Sequence, residues 1–280
     1  MEISAALVKE LRDATNVGMM ECKRALVEAK GDKAAAIKLL RERGMAIAAK
    51  KSGRAANQGV IASAIDATGR TGSLVEVNCE TDFVAKNDGF RAFVQELAVK
   101  AAGTDGQLAE TCKTEIVAKI AEIGENILAR RNLRFQVAGP GRVASYIHHG
   151  SSIGVLLEAA CAKPETADAA VMAEFLKDVC MHIAASSPRY VDRAAVPPAV
   201  VAAEREIFAK QAQGKPANII EKIVDGKMNK FYEQVCLLEQ PFVRDPEQKV
   251  GQLLQQKNKE IGDTIVLRRF ARFQVGEALE

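Results

Sequence analysis

Two short patterns in the chain match motifs that carry chemistry in other proteins. Residues 150–154 have the G-x-S-x-G spacing, which in hydrolases places a nucleophilic serine on a sharp turn between a strand and a helix. Here residues 155–157 are strand formers, so the turn lacks the helix that would help to stabilise an oxyanion. The sequence therefore predicts a hairpin turn; a hydrolase would instead need Ser152, and Ser152→Ala would abolish its activity.

The second pattern, a loose G-x-G-x-x-A at residues 139–144, would need a helix at that point to hold a dinucleotide pyrophosphate. Strand-like residues 145–147 follow instead, and the sequence has no G-x-x-x-x-G-K-[ST] phosphate loop. We therefore expect that any nucleotide chemistry this chain influences belongs to a partner.

Metal, thiol and nucleic-acid chemistry are not favoured. Of the three histidines, His148 and His149 are adjacent and would point to opposite faces of a strand, while His182 is remote. The six cysteines lack C-x-x-C spacing, which predicts reduced, buried thiols, and we predict no metal and no cofactor. Because 39 basic residues face 36 acidic ones, we expect no direct nucleic-acid binding, which would show as a steep loss of affinity with salt.

An internal repeat organises the middle of the chain. Seven residues recur 82 positions later: Ala62, Ser63, Gly72, Leu74, Glu76, Cys79 and Phe93 match Ala144, Ser145, Gly154, Leu156, Glu158, Cys161 and Phe175. Each copy has two β-rich runs, at 60–67 and 73–79 or at 143–148 and 153–161, and then a helix that starts near Phe90 or Thr166. The predicted fold class is α+β, with two related subdomains that carry small antiparallel sheets.

Helical segments flank the two copies. Gly31 and Gly44 are predicted to end the second and third of three N-terminal helices, with Asp32 capping the third. Isoleucines within residues 108–131 predict one long amphipathic helix that packs across the first sheet, and alternation at 264–275 predicts a returning strand. The predicted domains are a helical module (1–44), a polar linker (45–59), one subdomain (60–139), a second (140–195 with 230–280) and a protruding helical hairpin (196–229) that turns at 214–216 and lacks a core of its own.

The segment 81–88 distinguishes the first copy from the second, which has Lys163–Pro164–Glu165–Thr166 at that place. Thr81 can cap a helical turn, and Phe83 beside Asp82 would offer an apolar group and a charge side by side. The alternative is that Phe83 folds back into the core.

At Thr81-Asp82-Phe83-Val84 the sequence resembles the elongation factor Ts family, whose signature is Thr-Asp-Phe-Val. Further segments match that family in order over nearly the whole chain: residues 7–12, 18–23, 46–51, 76–80, 123–126, 145–148, 181–186, 240–243 and 250–254. The resemblance implies that the N-terminal module is ubiquitin-associated-like. It also implies a non-enzymatic guanine nucleotide exchange factor for elongation factor Tu in translation elongation.

In the family, the Asp–Phe pair inserts between two helices of the nucleotide domain of elongation factor Tu, displaces Mg²⁺ and promotes release of GDP so that GTP can bind. Thr81, Asp82, Phe83 and Val84 are therefore the implied binding residues for the GDP-bound and nucleotide-free partner. Further implied contacts are Arg12, Met19, Met20 and His148, with His149 as the alternative to His148.

The resemblance also implies that the helical hairpin pairs two copies as a coiled coil, in a one-to-one or a two-to-two assembly with the GTPase. The sequence ends at Glu280, so the additional carboxy-terminal module of some members is expected to be missing. With no leader and no apolar run of about 18 residues, we expect a cytoplasmic protein that does not contact membranes.

Overall fold

The computed structural model describes residues 3–15, 17–214 and 216–279, and its mixture of helices and short strands confirms the α+β class. The helices are α1 (Ala5–Thr15), α2 (Met19–Glu28), α3 (Lys33–Lys51), α4 (Asp82–Lys86), α5 (Asp88–Gly103), α6 (Leu108–Thr111), α7 (Lys113–Ile123), α8 (Pro164–Asp168), α9 (Ala170–Ser186), α10 (Pro198–Gln211), α11 (Ala217–Val235) and α12 (Val250–Ile261). The strands are β1 (Gln58–Ile65), β2 (Thr71–Cys79), β3 (Leu128–Gln136), β4 (Gly141–Ile147), β5 (Ile153–Ala160), β6 (Pro241–Phe242), β7 (Asp245–Lys249) and β8 (Val266–Gln274). Helices formed by the described residues are all too short or too polar to span a membrane.

The chain divides into two compact units. The first comprises residues 1–62, 74–133 and 274–280, and the second comprises residues 63–73 and 134–273. In the described residues the strands form sheets with the orders β1-β2-β3 and β4-β5-β8 and a small β6-β7 ribbon. These sheets agree with the hairpins that the repeat predicts, and β8 confirms the returning strand.

The three N-terminal helices pack around a small apolar core that includes Leu11, Cys22 and Leu26. Asp32 caps α3 as predicted, because its Oδ1 accepts a hydrogen bond of 3.0 Å from the Ala35 amide. The predicted end of this helix at Gly44 is wrong, since α3 continues to Lys51 and takes in the first residues of the predicted linker. The remaining domain boundaries and the ubiquitin-associated-like character stay predictions.

The reason for this longer helix is a tertiary contact. A Cβ placed on Gly44 would lie 3.5 Å from Ala121 and 3.7 Å from Val117, both in α7. A small residue at this position lets α3 lie close to α7, and packing outweighs the weak helix propensity of glycine.

The long helix predicted over 108–131 is also wrong. α7 ends at Ile123, where Gly124 takes a left-handed conformation with φ 81° and its amide donates to the Ile120 carbonyl at 2.8 Å. Glycine adopts this conformation without a steric penalty, so it terminates the helix, and β3 begins at Leu128. The isoleucine spacing crosses this boundary, which periodicity alone does not reveal.

In the second unit, α9 packs on β4 and β5 through a buried stripe that includes Phe175, Val179 and Ile183. β4 pairs with β5 in antiparallel register, with Ile147 opposite Gly154. The turn between these two strands therefore contains Gly150 to Ser152 of the G-x-S-x-G segment, as predicted, and the last two residues of the segment begin β5.

The helical hairpin is formed by α10 and α11, but α11 extends past residue 229 to Val235. The prediction that it lacks a core of its own is wrong. Val224, Met228 and Phe231 are buried in one cluster with Val196 and Cys236, because the apolar spacing continues into the added turns. Lys215 of the predicted turn lies outside the described residues.

Candidate partner-binding site

A one-turn helix at the end of β2 carries the residues of the Thr-Asp-Phe-Val segment. All residues of β2 are buried, so packing fixes the position of the strand from which the turn starts. Thr81 caps α4 as predicted, with its Oγ1 3.4 Å from the Val84 amide that donates to it. Asn87 then caps α5 by accepting from the Phe90 amide at 3.0 Å. Two caps therefore delimit α4 as a separate turn.

Phe83 points into solvent with 82% of its surface exposed. The interpretation that it folds back into the core is therefore wrong. An exposed phenyl ring keeps its full hydration cost, which burial against a partner would remove. The turn therefore presents an exposed apolar side chain and not a core residue.

Asp82 adds a negative charge beside this ring. The Lys86 ammonium lies 2.6 Å from Asp82 Oδ2, one helical turn away. The hydrogen bond from Lys86 holds the pKa of Asp82 below its ordinary value, so this carboxylate is ionised at neutral pH.

The Glu125 carboxylate holds the backbone that leads into α4. Its Oε2 accepts hydrogen bonds of 3.0 Å from both the Glu80 and Thr81 amides. Its Oε1 accepts a third, of 2.6 Å, from the Thr81 hydroxyl. We call this set of three hydrogen bonds the Glu125 clasp. Bonds to a charged acceptor are stronger than neutral ones, so the clasp restricts the turn that carries Phe83.

Glu80 completes the connection in the opposite direction. Its Oε1 accepts from the Asn126 amide at 2.7 Å, and this bond is the main cause of its lowered pKa. The side-chain amide of Asn126 donates to the Arg54 carbonyl at 2.7 Å. The Arg54 guanidinium, through Nη1, lies 3.5 Å from Glu80 Oε2. Residues 80–81 and 125–126 are therefore joined by bonds that run both ways.

Glu80, Glu125 and Asn126 are not among the predicted site residues, although residues 76–80 and 123–126 match the family. A usable signal was present, since Gly124 and Glu125 directly follow an isoleucine-rich helix. Because the helix was predicted to continue to residue 131, Glu125 was not recognised as the residue that follows a helix end. Cys79 also lies against this carboxylate: burial, with a smaller effect of Glu125, raises the pKa of its thiol to about 12.

Arg12, Met19 and Met20 lie on the N-terminal helices of the same unit. Arg12 is exposed near the end of α1, and the two methionines are exposed at the first two positions of α2. Unbranched methionine adapts to irregular surfaces, which suits a contact residue.

His148 belongs to the second unit, directly after β4. The Tyr146 hydroxyl lies 3.1 Å from its Nδ1, and both line a concavity of about 600 Å³ together with Met181 and Val243. His149 is also exposed. Across the described ranges, no group of three or more His, Cys, Asp or Glu side chains is arranged to hold a metal ion.

His182 is fully buried and has a different surrounding. Its Nδ1 accepts from the Val243 amide at 3.2 Å, so Nε2 carries the proton and donates to Gln240 Oε1 at 2.9 Å. Burial lowers the pKa of this histidine, which is therefore neutral in the folded protein. It supports the structure and does not face a partner.

Known proteins resemble this chain over its length. The family model described as elongation factor TS matches residues 80–277. A protein named elongation factor Ts from Trichlorobacter lovleyi is 46% identical, with 100% of this chain and 94% of that protein aligned. A protein of the same name from Nitratidesulfovibrio vulgaris is 45% identical, with 99% of this chain and 97% of that protein aligned. One from Methylococcus capsulatus is 46% identical, with 100% of this chain and 94% of that protein aligned.

Proposed function

The chain belongs to the elongation factor Ts family of translation elongation factors, and from this we propose that it is a non-enzymatic guanine nucleotide exchange factor for elongation factor Tu in the cytoplasm. The observation that carries the proposal is Phe83, which is exposed at the tip of a turn that two caps and the Glu125 clasp restrict. An exposed aromatic residue on a restricted backbone binds at a low entropic cost.

In the proposed mechanism, Thr81 to Val84 approach the nucleotide domain of GDP-bound elongation factor Tu. Phe83 enters between two of its helices, and Asp82 accompanies it as a charge. Insertion displaces the Mg²⁺ that bridges the GDP phosphates to the GTPase, so the affinity for GDP falls.

Turnover follows from thermodynamic reciprocity. If the exchange factor weakens GDP binding by a given factor, nucleotide binding weakens the hold of the exchange factor by the same factor. GTP that binds to the empty GTPase therefore releases this chain unchanged, and no step requires a catalytic side chain or a cofactor here.

The remaining contacts hold the partner while Phe83 acts. Arg12, Met19 and Met20 bind the same nucleotide domain, and His148, or His149 in its place, binds near the phosphate loop. The exposure of all five side chains supports this assignment.

The helical hairpin pairs two copies of the chain. Support comes from Ile207 and Ile219, which are exposed on α10 and α11 although both are large and apolar. Replacing either isoleucine by glutamate would place a charge in the proposed contact, so sedimentation should then show monomers. A wild-type chain that is monomeric at micromolar concentration would exclude this pairing.

The exchange function is tested with fluorescent GDP bound to elongation factor Tu. Full burial of a Phe side chain stabilises a complex by about 1.5–3 kcal/mol, so Phe83→Ala should slow release by roughly 10- to 150-fold at limiting factor. Val99→Ala, which trims another exposed apolar residue of the same unit, is the matched control and should release GDP as wild type does.

Circular dichroism establishes that each variant is folded. Absence of acceleration by the wild-type protein would refute the exchange function. Equal acceleration by wild type and folded Phe83→Ala would place the active contact elsewhere.

A further inference from the structure

The second copy of the repeat builds its own version of the Glu125 clasp. Asp263 accepts hydrogen bonds from the Ala162 and Lys163 amides at 3.3 and 3.0 Å, and these residues stand 82 positions after Glu80 and Thr81. The pKa of Asp263 is lowered, mainly by a hydrogen bond with the side chain of Thr166, which stands 82 positions after Val84 and not after Thr81. The turn that follows, α8, occupies the place of α4.

The two carboxylates also arise from the same local structure. Gly124 ends α7 with φ 81°, and Gly262 ends α12 with φ 67°. In each copy the carboxylate comes directly after this glycine, and the third strand of the sheet begins three residues later, at Leu128 or Val266. The clasp is therefore a component of the repeat, which the 82-residue offset does not reveal because the hairpin is inserted in the second copy.

The copies differ in what the turn carries. Phe83 stands in the first copy where the second has Glu165, and both are exposed. The first copy also has the return bond from Glu80 to the Asn126 amide, whereas Ala162 at the matching position has no carboxylate. Hydrogen bonds from residues 80 and 81 to Glu125, and from Asn126 back to Glu80, thus occur together in the copy that presents the phenyl ring.

We propose that Glu125 is a positioning residue for nucleotide exchange, and that it acts through Phe83 by holding residues 80 and 81 in the conformation that presents the ring. This inference rests on the exchange function proposed above. Without the carboxylate, two amides and one hydroxyl lose their acceptor, and the turn must be ordered when the partner binds. Ordering about one backbone residue in this way corresponds to roughly a tenfold slower release of GDP.

The experiment measures release of fluorescent GDP from elongation factor Tu over a range of factor concentrations. The variants are Glu125→Ala, Phe83→Ala, the double variant, and Asp263→Ala as a matched control. The control removes the same kind of clasp from the turn that lacks Phe83. Glu125→Met, which keeps a side chain of similar length but has no carboxylate acceptor, is measured in parallel in case Glu125→Ala is not folded.

We expect Glu125→Ala to be about tenfold slower than wild type and Asp263→Ala to be equal to wild type, with comparable losses of thermal stability. In the Phe83→Ala background, the Glu125 substitution should add nothing, because a residue that acts only through Phe83 has no effect once the ring is gone. A general structural role would slow exchange in both backgrounds.

The inference is overturned if folded Glu125 variants exchange as wild type does, if their effect persists unchanged in the Phe83→Ala background, or if Asp263→Ala is equally slow. Failure of the proposed function has a different signature. In that case wild type itself gives no acceleration, or Phe83→Ala matches it.

Discussion

Glu76 is the centre of a buried charge cluster whose disruption should destabilise the first unit strongly. The side chain is fully buried in β2 and accepts from Arg130 Nη1 at 3.0 Å, from Arg131 Nε at 2.6 Å and from the Gly276 amide at 2.9 Å. Glu76→Ala removes this fully buried carboxylate and leaves two guanidinium groups behind, of which Arg131 keeps an ion pair of 2.6 Å with the partly exposed Glu277. These groups are themselves only 19% and 18% exposed.

The expected loss in the free energy of unfolding depends on the low solvent exposure of these two arginines. Removing one partner of a buried ion pair destabilises by about 3–5 kcal/mol when the remaining charge is uncompensated. Because Glu277 still pairs with Arg131, we expect a loss near the lower limit, about 3 kcal/mol. Glu158 is the repeat counterpart of Glu76 and pairs with Arg269 Nε at 2.7 Å, but this arginine side chain is 53% exposed. Solvent screens the charge that Glu158→Ala leaves, so we expect a loss of only about 1 kcal/mol.

Urea denaturation followed by far-UV circular dichroism compares the two variants. With a slope of about 2–3 kcal/mol per molar urea, Glu76→Ala should lower the midpoint of the affected transition by roughly 1–2 M and Glu158→Ala by less than about 0.5 M. Equal shifts for the two variants, or a loss below about 1 kcal/mol for Glu76→Ala, would refute the argument from burial.

Three further predictions concern single residues. The pKa of His182 is lowered in the folded state, so below pH ~6.5 the unfolded chain binds more protons than the folded chain. The free energy of unfolding should therefore decrease as the pH falls below ~6.5, by up to about 1.4 kcal/mol per pH unit. His182→Gln should remove this pH dependence, and an unchanged slope in the variant would contradict the prediction. A Cβ on Gly72 would lie 2.7 Å from Val143 Cγ1, so Gly72→Ala should destabilise the protein by about 1–3 kcal/mol in urea denaturation. Gly44→Ala places its Cβ at ordinary contact distances inside a helix, so this variant should be as stable as wild type or more stable. The reverse order of stabilities would show that the backbone around Gly72 relaxes. The Cys79 thiol, with its pKa raised to about 12, should resist iodoacetamide at pH 8 until the protein unfolds, and mass spectrometry that finds it alkylated in the native protein would contradict this.

Much of the local structure could be predicted because neighbouring residues decide it. The cap at Asp32 and the cap at Thr81 each need one side-chain oxygen and an amide three residues later. The turn at 150–154 follows from strand-forming residues on both sides, and the 82-residue repeat predicted the hairpin sheets.

Two of the errors concern glycines, whose effect on a helix depends on packing contacts and backbone conformation that the local pattern does not specify. Gly44 normally weakens a helix, yet α3 passes through it because α7 lies against that surface. The spacing of isoleucines suggested a helix to residue 131, yet Gly124 ends it and the following residues pair into a sheet. A sequence pattern reports which face is apolar and not which neighbour will cover it.

The sequence alone determined the family, the fold class and the identity of the Thr-Asp-Phe-Val segment, since these depend on residue types in a fixed order. Only the tertiary structure decided that Phe83 is exposed and that Glu125, 44 residues beyond Thr81, holds the turn beneath it. The same holds for Glu76, which bonds to an amide 200 residues away. Hydrogen bonds and burial depend on distances in space, and chain spacing specifies those distances only within single helices, strands and turns.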